Sequence, residues 1–153
     1  MFEELNKHKY LELEEIGEAN EWDFRLIIAE ADTIEGSPPV MPEQEPDDLV
    51  RKLLNESVPI KVTENSKRYE IVFNNYITYS VTNESYAIEG KDDQYEGKLV
   101  RIYTKSEFLN YIANSTFATS DYPGPFKHYG FCCLNHIIDV VSVVAPTIKV
   151  INA

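Results

Sequence analysis

A chain of 153 residues with 43% hydrophobic side chains suits one domain with a sizeable core, and ten Tyr and seven Phe exclude wholesale disorder. A net charge of −12 argues against a nucleic-acid binder working through phosphate contacts and against attraction to acidic membranes; the pair Lys67-Arg68 is too small a basic cluster to serve either. The charge is unevenly placed: residues 1–50 hold 15 Asp and Glu against three Lys and Arg, whereas residues 51–153 hold 11 of each.

Residues 2–9 read as a short helical turn or as an extended lead-in. Leu11, Leu13 and Ile16 alternate with Glu12 and Glu14, as in a half-buried strand, which Gly17 is expected to break. Trp22, Phe24, Leu26 and Ile28 alternate with Asp23 and Arg25, giving a second strand over about 22–30. The Glu side chains of these strands are expected to project together on one solvent face, because alternate residues share a face. Four prolines make 36–46 an exposed, acidic, Pro-rich loop. Asp47 and Asp48, then Leu49, Val50, Leu53 and Leu54 at helical spacing, predict a short helix at about 47–56.

In 69–81, Tyr69, Ile71, Phe73, Ile77, Tyr79 and Val81 share one parity, which favours a single long strand over a turn at Asn74-Asn75. A polar turn region follows at 90–97, and Leu99 to Tyr103 alternates again. Thr104 or Ser106 is placed to cap a helix with Phe108, Leu109 and Ile112 as its apolar stripe, ending near Asn114. Asp121-Tyr122-Pro123-Gly124-Pro125 is a strong turn. Phe126 to Val144 is apolar, Pro146 stops it, and Thr147 to Ile151 reads as a last strand. No internal repeat or domain boundary is visible. The expected fold is α+β: a single domain, 1–153, of mostly antiparallel β-sheet with six or more strands and one or two short helices packed on it.

The N-terminus lacks the basic start and apolar run of a secretory signal, and the apolar run Ile137–Ala145 is too short to span a bilayer. Two adjacent cysteines give no disulfide framework. A cytoplasmic location is the expectation.

Candidate chemistry centres on His128, Cys132, Cys133, His136 and Asp139. On a helix, His128, Cys132 and His136 fall four apart, so that neighbours share a face and a metal. On a continuous strand, residues four apart are separated by about 13 Å, too far for one zinc ion. A hairpin turn at Leu134-Asn135 would fold His136 back toward Cys133. The metal candidates are therefore His128, Cys133 and His136, against a plain reading as a core strand with small hydrophobic thiols and hydrogen-bonded histidines. Adjacent cysteines on a strand face opposite ways, so at most one can pair with a histidine as a nucleophile. With 26 carboxylates no acid/base pair stands out, no nucleotide or hydrolase motif occurs, and no catalytic residue or cofactor is assigned. Tyr69, Tyr76, Tyr79 and Tyr86 read as sheet-forming residues or as amphipathic interface area.

Three blocks, Glu84-Ser85-Tyr86, then Tyr103-Thr104-Lys105-Ser106 with Phe108-Leu109, and His128-Tyr129 through Cys133-Leu134-Asn135-His136 to Asp139-Val140, loosely resemble a pattern in small bacterial cytosolic proteins, some of the toxin-immunity type. The resemblance spans about 20–151. It implies a non-catalytic protein that binds and neutralises a toxin, and it carries over no functional residue. An acidic binder would compete for the basic groove of a nucleic-acid-degrading toxin and be steered to it by charge. Solubility alone accounts for the same charge. The expected partner is a basic protein, met by Glu12, Glu14, Glu15, Glu18, Glu21, Asp23, Glu43 and Glu45. The alternatives are a small metal- or cysteine-dependent enzyme using His128, Cys132, Cys133 and His136, and a small-ligand binder with Tyr and Trp22 lining a pocket.

Overall fold

Runs of alternating apolar and polar residues build the strands of this computed structural model, which describes residues 1–34, 48–49 and 58–152. A short helix α1 (Phe2–Leu5) leads into two long strands, β1 (Tyr10–Asn20) and β2 (Asp23–Thr33). Then come β3 (Ile60–Lys61), β4 (Arg68–Asn74), β5 (Thr78–Asn83), a 3-10 turn (Glu84–Tyr86), β6 (Gln94–Gly97) and β7 (Val100–Lys105). Helix α2 (Glu107–Ser115) precedes β8 (Lys127–Cys132), β9 (His136–Ser142) and β10 (Thr147–Asn152). The class is α+β, mostly antiparallel sheet with short helices, as the alternation implies. The Pro-rich segment 36–46 lies outside the described residues, as does most of the helix expected at 47–56, of which Asp48 and Leu49 are helical.

The strands divide between two antiparallel sheets rather than extending one. The first has the order β1-β2-β4-β10, with β3 on the end of β2; the second has the order β5-β9-β8-β7-β6. Their facing sides supply the core: Phe24, Leu26 and Ile28 from β2, Tyr69, Ile71 and Phe73 from β4, and Val100, Tyr129, Phe131, Ile138 and Val140 from the second sheet. Phe73 meets Tyr129 and Phe131 edge-on, at 5.3 and 6.0 Å between ring centres, and so joins the layers.

The division explains why 69–81 is not one strand. Asn75 adopts φ 54°, a left-handed conformation that Asn tolerates, and there the chain leaves the first sheet. β4 pairs with β2 and β10, whereas β5 pairs with β9. Shared parity across the bend reflects two strands facing one core from opposite sides. Gly17 does not end β1 either; the strand runs on to Asn20, with register shifts at Leu13/Glu15 and Glu18/Asn20.

Residues 128–144 form the β8–β9 hairpin. It turns at Leu134-Asn135 with Asn135 at φ 66°, closed by reciprocal backbone bonds between Cys133 and His136. Near this end of the hairpin, where the Cys132 amide donates to the Leu99 carbonyl, Asn6 clamps α1 to the turn before β7. Its Oδ1 accepts from the amides of Lys98, Leu99 and Val100, and its Nδ2 donates to the Val100 carbonyl. No described helix is long and apolar enough to cross a membrane.

Candidate functional site

Two places gather the residues with chemical or binding potential: the acidic β1–β2 ribbon, and a cavity on the outer side of the second sheet.

On the ribbon, register decides which carboxylates meet. Glu12 and Glu15 lie opposite Ala29 and Ile27, on the outward side of β2. Glu14 is the extra residue of a bulge, and Glu18 lies opposite Phe24, on the core-side parity. The bulge therefore breaks the single acidic face that simple alternation implies. Glu14 and Glu15 are also paired within the chain. Arg25 binds Glu15 through Nη1 and Glu70 through Nε, at 2.9 and 2.8 Å. Arg68 reaches from β4 over β2, past small Ala29, to Glu14 at 2.9 Å. These stems cover Ile27 and Ala29, which are buried although they face outward. Asp23 accepts the Asn75 amide at 3.2 Å. Glu12 and Glu21 form no ion pair with the described residues; Glu43 and Glu45 lie outside them.

The tip of the ribbon is unusual. Trp22, in the Glu21-Trp22 turn, has φ 67°, a conformation normally given to Gly or Asn in hairpins of this kind. A bulky side chain there costs about 1–2 kcal/mol relative to a relaxed backbone. Burial does not offset it, because Trp22 is 61% exposed. The turn is nevertheless held: the Tyr76 amide donates to the Trp22 carbonyl at 3.3 Å, beside the Asn75–Asp23 bond. Behind it, Tyr79 stacks on Phe24 at 4.0 Å, and Tyr76 packs edge-on to Tyr79. The Tyr76 hydroxyl donates to Glu18, and that hydrogen bond, with burial, pushes its pKa up to about 12.

On the second sheet, β8 sends Tyr129 and Phe131 into the core, where Cys133 follows just beyond the strand, and His128, Gly130 and Cys132 outward. Register sets Tyr103 beside His128, and Asp139 beside Gly130. Gly130 is required here, since a Cβ would lie 2.9 Å from Cε2 of the Tyr103 ring. Between this face, the start of α2 and the 84–93 segment lies a cavity of about 380 Å³ lined by Arg101, Tyr103, Phe108, His128, Cys132 and Asp139, among others.

His128, 2% exposed, is held on both sides: Nδ1 lies 2.8 Å from Ser106 Oγ, and Nε2 lies 2.6 Å from Asp139 Oδ1. Ser106 also caps α2, accepting the Leu109 amide at 3.0 Å. One proton arrangement satisfies every group: Leu109 N–H donates to Ser106, whose hydroxyl donates to Nδ1, while Nε2–H donates to Asp139. The trio has the residue types of a hydrolytic triad. However, Ser106 is 2% exposed and engaged as a helix cap, so its oxygen is out of reach of a substrate. The network orients Asp139 and pins α2 to the sheet.

The His/Cys cluster read from sequence is thus divided. His128, Cys132 and Asp139 share the outer cavity, whereas Cys133 and His136 face each other across the hairpin turn on the other side. Burial pushes both thiols up, Cys133 far above the ordinary range, which favours the unreactive protonated form. Among the described residues no group of three or more His, Cys, Asp or Glu is placed to hold one metal ion. The sequence offered Thr104 or Ser106 as the cap, and the structure selects Ser106; its bond to His128 was not read, and the signal was the outward parity of His128, Gly130 and Cys132 beside Arg101 and Tyr103. Comparison of the chain with family models, with curated proteins and with solved structures found no match.

Proposed function

We propose that the protein is a non-catalytic acidic module that binds a basic protein partner, acting as an immunity protein that neutralises a basic toxin. The observation that carries this reading is the confinement of the charge: 15 carboxylates against three basic residues within residues 1–50. Many of them stand on the paired strands β1 and β2 at one edge of the first sheet, where complementary charge steers a basic partner and fixes its register. Burial of Ser106 and Cys133, and the raised pKa of both thiols, supports binding over catalysis.

The test is capture on immobilised protein, with salt elution, beside a Glu12→Lys/Glu21→Lys variant that leaves the internal ion pairs intact. The expected result is retention of a basic protein that weakens with salt and with charge reversal. Retention indifferent to both, or the absence of any basic protein among those retained, refutes the reading.

A further inference from the structure

We propose that Trp22 is the anchor of the binding surface, an indole on which an arginine side chain of the basic partner stacks. This rests on the reading of the protein as a binder of basic proteins, and it names the residue and the partner chemistry.

Three independent observations converge on Trp22. Its backbone is left-handed at φ 67°, where Gly or Asn would sit without strain. The residue is 61% exposed, so packing does not account for keeping a large ring there. Its turn is buttressed by a second left-handed residue, Asn75, through the Tyr76–Trp22 and Asn75–Asp23 hydrogen bonds, so the ring is presented from a fixed backbone. A local rule broken without a compensating gain in the free protein is the mark of a residue retained for a contact.

The surroundings select the contact. Glu21 and Asp23 adjoin Trp22 in the chain, Glu18 stands near the same end of β1, and no Lys or Arg among the described residues forms an ion pair with any of the three. Indole is the best aromatic partner for a cation, and a guanidinium stacked on it still offers its N–H edges to neighbouring carboxylates. Lysine, a compact and strongly hydrated charge, uses such a site less well. A rigid exposed aromatic ringed by polar groups is also the usual composition of an interface hot spot.

Trp22 is the only tryptophan, so its emission reports this site alone. The probes are capped tetra-arginine, tetra-lysine and tetra-glutamate peptides at low salt. Expected is a saturable change in emission with tetra-arginine, several-fold weaker with tetra-lysine, absent with tetra-glutamate, and reduced by salt and by Glu21→Gln. In Trp22→Gly and Trp22→Asn, binding of dye-labelled tetra-arginine is expected to fall at least several-fold, while the melting temperature holds or rises by about 2–4 °C. A lowered melting temperature in both variants would overturn the proposal, since the ring would then be serving the fold. So would equal emission changes with tetra-arginine and tetra-glutamate. Labelled tetra-arginine binding undiminished in Trp22→Gly but lost in Glu12→Lys/Glu21→Lys would refute the anchor and leave the acidic module standing; no binding to the wild-type protein would count against both.

Discussion

Replacing Ser106 by alanine tests the buried network that organises the second sheet. The substitution removes a helix cap, a loss of about 1 kcal/mol. It also leaves Nδ1 of His128, 2% exposed, without a donor, and a buried unsatisfied polar atom costs about 1–3 kcal/mol. The two effects together give about 2–4 kcal/mol, or about 5–15 °C in melting temperature for a domain of this size.

A double-mutant cycle separates them. His128→Phe keeps a ring against Tyr103, whose centre lies 4.0 Å away at an interplanar angle of 8°, and removes the demand at Nδ1. Asp139 then turns to water, which it can reach at 19% side-chain exposure. In that background Ser106→Ala should cost only the cap. The coupling energy from urea unfolding of the four proteins is expected at about 1–2 kcal/mol. A coupling below about 0.5 kcal/mol would refute the Ser106–His128 bond as a structural tie.

Alkali should unfold the protein. Burial holds the phenols of Tyr69, Tyr103 and Tyr129 above their ordinary range, and the bond to Glu18 raises Tyr76 to about 12. The folded state therefore keeps protons that the unfolded chain loses; the stability is intact below about pH 10 and is lost as pH rises through the folded values. The urea midpoint should fall over that interval, and a flat midpoint would contradict the assignment. Toward a disulfide reagent at about pH 8, Cys133 should react only on unfolding and Cys132 slowly; rapid reaction of either in the folded protein would revive the cysteine-enzyme alternative. Gly97→Ala should destabilise by about 2 kcal/mol or more by urea unfolding, because φ is 100° and the new Cβ would lie 2.0 Å from the Val100 carbonyl oxygen. A loss under about 0.5 kcal/mol would mean that this turn relaxes freely.

Local patterns were legible in the sequence where local chemistry decides. The Ser106 cap and the apolar stripe of α2 rest on residues within one turn, and the alternation in β2, β7 and β10 rests on the period of two. What the sequence hid depends on partners distant in the chain. The break at Asn75 looks like continuity because both strands face one core, and only their different sheet partners distinguish them. The bulge at Glu14 is a property of the β1–β2 register, not of β1. The Ser106–His128–Asp139 network draws on a helix cap and two strands, 22 and 11 residues apart, with no motif spacing to announce it.

The same dependence on register changes which carboxylates matter for a partner. Glu14, Glu15 and Glu70 share the two cations Arg68 and Arg25 at contact distance, well inside the screening length of about 8 Å at physiological salt, so most of their charge is offset locally. The middle of the ribbon thus contributes less field than its count of carboxylates implies. The tip, where Glu18, Glu21 and Asp23 have no Lys or Arg partner among the described residues, keeps more of its field, and it carries an exposed ring. Charge reversal should separate the two regions. Glu15→Lys sets two cations against each other over Ile27 and should lower the urea midpoint without a specific effect on association. Glu21→Lys, in an exposed turn, should leave the midpoint within about 0.5 kcal/mol of wild type yet slow association with a basic partner and flatten its salt dependence. Equal effects of the two reversals on association would mean that the whole ribbon acts as a diffuse field, and the tip would lose its claim to be the site.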